Sequence, residues 1–418
     1  MNFIGRLQRR KFLKTALGLF SSSLLLGGRQ ATAQTVAEPA ADAARVPGAA
    51  PSKLGHRSPY EHIERLVAAP SPAGVSFTPL EKLSGIVTPS GLHFERHHAG
   101  VPDIHPDDYQ LLIHGMVKRP LMFSLADLKR FPAESRICFI ECSGNGFRAS
   151  LPPQALPQEV SPGQLDGLFS VSEWTGVRLA TLFREVGASS GAKWFLAEGG
   201  DAALMSRSIP VAKAWDDAMV VYAQNGEPLR PEQGYPARLL LPGWEGNTNI
   251  KWLRRLELRD APFMTREETS KYSDAMPDGR IKQFTLRMGV KSLITSPSFP
   301  VDMPASGWNE IRGLAWSGAG RIARVDISVD AGHSWQAAEL QAPVLSKCGT
   351  RFRYGWDWDG TETIIMSRAT DETGRTQQPY PENEKDRGPG TFYHNSGIRA
   401  WKIHADGRVT FALRDLFS

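Results

Sequence analysis

An apolar run that stops abruptly at a glycine turn constrains this chain more than any other feature. Residues 138–140 form a strand-like stretch after a charged segment, and the Ser-Gly-Asn-Gly sequence at 143–146 is typical of a turn. Cys142 is therefore predicted to lie where a buried strand opens into a loop. Arg136 and Arg148 are expected nearby, where they would favour a thiolate, the form of cysteine that binds soft metals.

The other cysteines do not extend this pattern. A single cysteine is more often a small buried apolar residue than a metal ligand, so both interpretations of Cys142 stay open on this residue alone. Cys138, Cys142 and Cys348 form at most one disulfide, and two thiols leave a zinc site half built. The sequence has no C-x-x-C-H, so no covalently attached c-type haem is predicted in this chain.

Composition limits the classes of protein to which the chain can belong. Its 418 residues are 41% hydrophobic, which is enough for two or three packed domains. The formal net charge of +5 is modest and mixed in sign, and no basic block follows the amino terminus. Nucleic-acid binding is therefore not predicted.

The amino terminus is predicted to be an export signal. Paired arginines at 9–10 precede an apolar run at 16–26 and an Ala-Thr-Ala cleavage site, which is typical of twin-arginine export. A membrane anchor needs about twenty apolar residues, so a signal peptide over 1–33 and a periplasmic protein are expected instead. Residues 34–75 are predicted to be a linker and amino-terminal extension, in which 60–67 is compatible with a short helix.

The remaining chain divides by its periodicity. An amphipathic helix is predicted near 179–186, where apolar residues recur at helical spacing before a glycine. From residue 276 onward, short alternating strands separated by Gly and Asp turns predict an immunoglobulin-like β-sandwich. Arg238 begins an otherwise apolar strand, where a buried guanidinium needs an anionic partner.

Several separate segments resemble the sulfite oxidase family of molybdopterin oxidoreductases. The Glu-Cys-Ser-Gly-Asn sequence at 141–145 is similar to the family's molybdenum-ligating cysteine motif. Phe-x-Arg-x-His at 94–98 and Asn-Ile-Lys at 249–251 are similar to its cofactor-binding segments. The resemblance implies an α+β protein, with a mixed α/β molybdopterin domain at 76–275 and an immunoglobulin-like dimerisation domain at 276–418, and hence a homodimer.

The same resemblance implies one molybdenum-molybdopterin per chain, with Cys142 as the metal ligand. It assigns cofactor binding to Arg96, His98, Cys142, Asp201, Gln233, Arg238, Asn249 and Lys251. It assigns catalytic roles to Arg96, Tyr272 and Arg148. Asp201 is equally compatible with a solvent-facing turn. The five histidines between residues 93 and 114 are expected to form hydrogen bonds in loops rather than to bind metal.

Two departures from the family pattern affect the expected substrate. Phe147 stands where sulfite-oxidising relatives have an arginine, and Gln233 stands where animal members have a histidine. No tryptophan occurs between residues 149 and 170, where relatives have one beside the sulfite site. A less cationic substrate pocket is expected, unless Arg148 turns into it.

Within the family, the Cys-Ser-Gly-Asn-Gly-Phe motif together with twin-arginine export is most similar to the molybdenum subunits of Sox-type sulfane dehydrogenases. This likeness implies oxidation of sulfane sulfur bound to a carrier protein during thiosulfate oxidation, with electrons passing to a separate dihaem c-type cytochrome subunit. The main alternative is a dehydrogenase of free sulfite that uses cytochrome c. A methionine-sulfoxide reductase is disfavoured by the predicted sandwich, and a non-enzymatic binding protein is ranked last.

Overall fold

The protein is seen as a computed structural model that describes residues 47–151, 155, 158–387 and 392–413. The predicted signal peptide at 1–33 and the first part of the predicted linker lie outside the described residues. Contacts divide the chain into Met1–Glu61 and His62–Ser418. Residues 47–61, the described part of the first unit, contain no strand or helix. Among the described residues, none of the helices has the length and apolar character needed to span a membrane.

All described strands and helices belong to the second unit. Strands β1 to β15 are Leu66–Ala69, Val75–Phe77, Glu95–Arg96, Gln110–Gly115, Leu121–Ser124, Ala133–Glu141, Phe169–Arg178, Trp194–Gly199, Ser206–Pro210, Met219–Gln224, Glu227–Pro228, Arg238–Leu240, Leu253–Arg259, Ser273–Ala275 and Ile281–Gln283. Strands β16 to β24 are Lys291–Ser296, Gly307–Trp316, Ile322–Ser328, Gln336–Ala337, Glu339–Leu340, Thr350–Trp358, Thr363–Asp371, Ala400–Ile403 and Val409–Phe411. Helices α1 to α6 are Leu125–Arg130, Pro162–Asp166, Leu179–Glu185, Val211–Asp216, Arg266–Ser270 and Tyr380–Arg387. Single 3-10 turns occupy Leu80–Lys82, Ser90–Leu92, Phe147–Ser150, Pro231–Gln233 and Gly246–Thr248.

Two five-stranded sheets form the larger part of the first domain. One has the order β11-β10-β7-β6 with β12 also paired to β10, and the other has the order β5-β4-β13-β8-β9. Strand β13 pairs parallel to β4, whereas its other neighbour, β8, is antiparallel. The loops that follow β6, β8 and β12 contribute most of the residues discussed below, and a small sheet β1-β2-β3 adds Arg96.

The predicted amphipathic helix is present as α3. Leu179, Leu182, Phe183 and Val186, which follow helical spacing, are all fully buried in a core shared with the second sheet. Gly187, with φ of 65°, follows the helix in the left-handed conformation that glycine adopts without strain. The sequence period therefore identified both the helix and its buried face.

The carboxy-terminal part is the predicted β-sandwich. Its two sheets have the orders β16-β17-β21-β20 and β19-β18-β22-β23-β24, and all their pairings are antiparallel. Their shared core contains the fully buried Trp316 and Trp401. The ring of Trp316 also stacks on Phe169 of β7, with 4.0 Å between centroids, so one core cluster includes residues of both domains. The predicted α+β class is confirmed.

Two local predictions meet different structures. The short helix expected at 60–67 is wrong, because Leu66–Ala69 is a strand that pairs with β2. The predicted domain boundary at residue 276 falls in the turn of the β14–β15 hairpin.

Candidate active site

One cavity in the first domain is lined by nine of the ten predicted site residues. They are Arg96, His98, Cys142, Asp201, Gln233, Arg238, Asn249, Lys251 and Tyr272. These residues come from five separate stretches of the chain, which the two five-stranded sheets and the small sheet bring to one place. The roles assigned to them remain predictions, but their convergence is a property of the fold.

Cys142 is the residue directly after β6, and its backbone is fixed on both sides. Its N–H donates to the Leu168 carbonyl at 2.9 Å, and its carbonyl accepts from the Asn145 N–H at 2.9 Å. Burial raises the pKa of its thiol, although a hydrogen bond from the Gly144 N–H and the charge of Arg96 both act to lower it. The unmetallated side chain is therefore a thiol at neutral pH, and binding a metal would displace its proton.

Neither of the two arginines expected beside this thiol lines the cavity. Arg136 contacts Asp217 at 3.6 Å and is separated from the turn by about 20 Å of extended strand. Arg148 does not line the cavity. Its guanidinium carbon lies 5.8 Å from the ring centroid of Phe77 and 6.0 Å from that of Phe147. The expectation that Arg136 stabilises a thiolate is wrong, because this arginine is paired with Asp217, whereas the same role for Arg148 stays a prediction.

Arg238 is a buried cation without an anionic partner among the described residues. It is 3% exposed, and it donates to the carbonyls of Gln233 at 3.0 Å and Asn249 at 2.9 Å. Its Nε has no hydrogen-bond partner in the described part of the chain, and its guanidinium lies 5.1 Å from the ring centroid of Trp174. Burial lowers the pKa of Arg238 to about 9, which measures how poorly the protein alone compensates the charge.

Lys251 adds a second cation to the same wall. Its Nζ lies 2.8 Å from Nδ1 of His97 and donates to the Glu232 carbonyl at 3.0 Å. The Nε2 of His97 in turn lies 2.6 Å from a Glu95 carboxylate oxygen. Burial, followed by the charge of Arg238, lowers the pKa of Lys251 well below its ordinary value. An anion bound in the cavity would reverse this destabilisation of the charged amine.

Tyr272 and His98 form the polar pair beside the cysteine. The Tyr272 hydroxyl lies 3.4 Å from Nε2 of His98. Burial lowers the pKa of His98 to about 4 and raises the pKa of Tyr272, with the nearby Cys142 adding to the second effect. At neutral pH the imidazole is therefore neutral and the phenol keeps its proton, so Tyr272 can donate a hydrogen bond.

Three predicted cofactor residues also support the walls of the cavity. Asp201 is 4% exposed and accepts from the Met205 N–H at 3.3 Å, so it shapes its turn as well as lining the cavity. Gln233 donates from Nε2 to the Phe94 carbonyl at 3.0 Å. The amide of Asn249 accepts from the Leu241 N–H at 2.7 Å and donates to the Glu245 carbonyl at 3.0 Å, which fixes the shape of the loop between these residues.

Two further lining residues were not selected from the sequence. His93 is buried, with burial lowering its pKa to about 3, and its Nε2 has no partner among the described residues. Asn247 donates to the Ser143 hydroxyl at 2.9 Å, while its Oδ1 is buried and also without a described partner. Asn247 lies two residues before the Asn-Ile-Lys sequence at 249–251 that resembles a cofactor-binding segment, so its position was a usable signal.

A buried ionic cluster behind Tyr272 was also missed. Arg207 is fully buried, and its guanidinium lies 4.7 Å from the ring centroid of Tyr272. It contacts Glu268 at 2.7 Å and Glu245 at 3.0 Å, and Glu245 lies 3.3 Å from Nε2 of His394 in the sandwich domain. No local pattern in the sequence indicates this cluster, because its members are far apart in the chain.

The side chains that line the cavity fit a metal whose other ligands come from a bound organic cofactor. No group of three or more His, Cys, Asp or Glu side chains suited to a metal occurs among the described residues. A soft metal at Cys142 would therefore need most of its ligands from an organic group, which a pterin dithiolene supplies. The unpaired Nε of Arg238 and the amine of Lys251 suit the phosphate of such a group.

Comparisons with known proteins agree with this fit. The family model described as oxidoreductase molybdopterin binding domain matches residues 98–267, and the Mo-co oxidoreductase dimerisation domain matches residues 282–385. The solved structure of the sulfane dehydrogenase SoxCD from Paracoccus pantotrophus superposes with a TM-score of 0.80 at 42% identity, covering 86% of this chain and 95% of that chain.

Curated relatives include sulfite oxidases of animals. Gallus gallus sulfite oxidase is 30% identical over 70% of this chain and 68% of its own length. Drosophila melanogaster mitochondrial sulfite oxidase is 32% identical over 69% of this chain, which spans about half (52%) of that relative. The chain belongs to the sulfite oxidase family of molybdopterin oxidoreductases.

Proposed function

We propose that this protein is the molybdenum subunit of a sulfane dehydrogenase, which oxidises carrier-bound sulfane sulfur and passes electrons to a c-type cytochrome subunit. The observation that carries the proposal is Cys142 on the wall of a cavity that is also lined by Arg238, a buried cation with no anionic partner among the described residues. The 42% identity to a sulfane dehydrogenase over most of both chains supports this choice within the family.

The cofactor-binding groups act by position and charge. Cys142 would hold the molybdenum. Arg238 and Asn247 would bind the pterin and its phosphate through side-chain atoms that have no hydrogen-bond partner among the described residues, and the Lys251 amine would add its positive charge. When bound, the molybdenum group supplies oxygen-atom transfer and accepts two electrons. The net reaction adds one oxygen atom from water to the sulfur and releases two electrons and two protons.

The chain's own side chains would stabilise the oxidised sulfur. Arg96 places a guanidinium in the cavity, where negative charge develops on the oxygen that the sulfur gains. Tyr272 keeps its proton at neutral pH because burial raises its pKa, so its hydroxyl can donate to the same oxygen. The neutral His98, 3.4 Å from that hydroxyl, orients the phenol without adding charge.

The surroundings of Phe147 favour a protein-bound substrate over free sulfite. Its ring stacks on Phe392, with centroids 5.1 Å apart, so the position of one arginine of sulfite-oxidising relatives is occupied by an aromatic pair. Phe392 is 51% exposed. A neutral aromatic surface gives little attraction to a small dianion and suits the less charged end of a peptide-bound sulfur.

Export and assembly complete the proposal. A twin-arginine signal over 1–33 would deliver the folded, cofactor-loaded protein to the periplasm, where c-type cytochromes and sulfur carriers occur. The sandwich domain would form a homodimer, in keeping with the dimerisation model that it matches. Haem is assigned to the cytochrome subunit and not to this chain.

The test compares substrates on one preparation. The full chain is produced with its cytochrome subunit in a host that makes the molybdenum cofactor, and molybdenum per chain is measured. We expect about one molybdenum per chain and faster cytochrome reduction with carrier-bound sulfane than with free sulfite. Rapid turnover of micromolar free sulfite without turnover of the carrier would instead establish a sulfite dehydrogenase, and absence of molybdenum would contradict both functions.

A further inference from the structure

Glu141, the residue before the proposed metal ligand, is buried in contact with the sandwich domain. It is 1% exposed, and its Oε2 accepts a hydrogen bond from Nε1 of Trp316 at 2.7 Å. Its Oε1 accepts from Nδ2 of Asn145 at 2.9 Å and lies 3.4 Å from Nζ of Lys291. Trp316 and Lys291 belong to β17 and β16, so the second domain binds the residue next to Cys142 directly.

A second layer of buried charge holds the turn that follows. Lys291 also pairs closely with Asp166, and Arg399 contacts the same carboxylate through Nε at 3.0 Å and Nη2 at 3.3 Å. All of these side chains are at most 2% exposed. Gly146 packs against this layer, since a Cβ added to it would lie 2.8 Å from Asp166 Oδ1 and 3.1 Å from Lys291 Nζ.

The direction of Cys142 follows from the anchoring of Glu141. Consecutive side chains at the end of an extended strand point to opposite faces. The carboxylate of Glu141 is directed into the sandwich, and the sulfur of Cys142 is correspondingly directed into the cavity. Asn145 connects the two residues, because its side chain donates to Glu141 while its N–H donates to the Cys142 carbonyl.

We propose that Glu141 is a positioning residue, through which Trp316 and Lys291 of the sandwich domain fix the sulfur of Cys142 for the metal. The inference rests on the proposed metal-binding role of Cys142, but not on the identity of the sulfur substrate. It gives the sandwich domain a second role besides dimerisation. A tryptophan N–H and a lysine from that domain restrain the one protein atom that would bind molybdenum.

Two tryptophans of the sandwich allow a matched test. Trp316→Phe removes the N–H that binds Glu141 and keeps an aromatic ring to pack on Phe169. Trp401→Phe removes the same group from a fully buried tryptophan of the same core, whose Nε1 has no hydrogen-bond partner among the described residues. Glu141→Gln is the second variant, which keeps the side-chain size and removes the charge.

Two readouts separate positioning from stability. In cofactor-free full-length protein, alkylation of Cys142 is followed by peptide mass spectrometry, with the fully buried Cys138 and Cys348 as internal references. In the molybdenum-loaded complex, the Mo(V) electron paramagnetic resonance spectrum and the separate kcat and KM values are measured. Thermal unfolding of every variant records the loss of stability common to both tryptophan changes.

We expect Trp316→Phe and Glu141→Gln to speed Cys142 alkylation and to lower kcat by about tenfold each, the size of one hydrogen bond to a buried charge. Both should split or broaden the Mo(V) signal and leave KM nearly unchanged. Trp401→Phe should match wild type in alkylation rate, kcat, KM and Mo(V) signal. If the wild type contains molybdenum and the Trp316 and Trp401 variants give the same alkylation rates, kinetics and Mo(V) spectra, this inference is overturned and the proposed function is not. A wild type without molybdenum would contradict the proposed function.

Discussion

Arg238 is a cation that the fold buries before any anion is present to compensate it. Arg399 provides the contrast, because it is also buried but contacts the Asp166 carboxylate through two nitrogens. Burying a charge is unfavourable unless a partner restores the lost hydration, so an unpaired guanidinium on a cavity wall creates affinity for an anion. Arg399 therefore stabilises the folded protein through an internal ion pair, whereas Arg238 is available to bind an anionic ligand.

Replacing these two arginines should separate ligand binding from stability. Arg238→Met should reduce the rise in Tm that the cofactor produces, while the cofactor-free protein loses less stability than it does in Arg399→Met. The latter removes one of the two cations that contact the buried Asp166 carboxylate, and breaking a buried ion pair typically costs about 3–5 kcal/mol. Differential scanning calorimetry of the cofactor-free and cofactor-loaded forms of each variant measures these changes in Tm. Equal cofactor-induced shifts in wild type and Arg238→Met would contradict the phosphate-binding role.

Cys142→Ser should abolish molybdenum retention and sulfur oxidation while the fold persists. Because the side chain is half-buried, the free energy of unfolding should fall by only about 1 kcal/mol. Cys348→Ser is the control, because that thiol is fully buried and is not among the residues that line the cavity. It should lose more stability and keep its molybdenum. Metal analysis and chemical unfolding of the two variants decide this, and retained activity in Cys142→Ser would contradict the ligand assignment.

At the scale of elements, the turn after β6 depends on both backbone conformation and space. Gly146 has φ of 84°, and side chains of Asp166 and Lys291 occupy the position of any Cβ. Gly226, in the β10–β11 turn, has φ of 80° but nothing within 4 Å of an added Cβ. The two glycines thus share a conformational requirement and differ in their surroundings.

Alanine at these two positions should have different costs. Gly226→Ala introduces only left-handed strain, about 1–2 kcal/mol. Gly146→Ala adds overlap with the buried charges, so its total should exceed about 3 kcal/mol and molybdenum content should fall with it. Urea unfolding together with metal analysis measures both. Equal destabilisation at the two sites would show that Asp166 and Lys291 move to accommodate the added methyl group and do not fix the turn.

Elements were predictable wherever one local period decided them. The four apolar residues of α3 identified the helix because its buried face follows its own spacing. The segment at 60–67 was misjudged because β1 exists through its pairing with β2, a contact that its own residues do not encode. Motifs located nine lining residues of the cavity, but Arg207, Glu245 and His394 had no local pattern to reveal them.

At the scale of the molecule, buried neutral histidine makes stability sensitive to acid. Burial lowers the pKa of His93 to about 3 from an ordinary 6.5, so the unfolded chain binds more protons than the folded one between these values. The contribution of His93 is fully present above pH 6.5 and is lost as pH falls. By pH 4.5 the loss should reach about 2–3 kcal/mol.

Replacing this residue should flatten the acid response. His93→Gln keeps a donor for the Phe94 carbonyl but does not titrate, so the cofactor-free variant should lose about 2–3 kcal/mol less than wild type between pH 6.5 and 4.5. Exposed His105→Gln is the control and should follow wild type. Urea unfolding at each pH gives the two slopes, and parallel curves for wild type and His93→Gln would contradict the buried neutral state.

The bond between Glu141 and Trp316 joins residues 175 positions apart, and that between Asp166 and Arg399 joins residues 233 apart. Neither bond can form while the later partner is still inside the ribosome. In a nascent chain, the turn after Cys142 can therefore form before the contacts from Trp316 and Arg399 that hold it in the folded protein. We therefore expect an enzyme that loads the cofactor to act only after Trp316 and Arg399 have left the ribosome and formed these bonds.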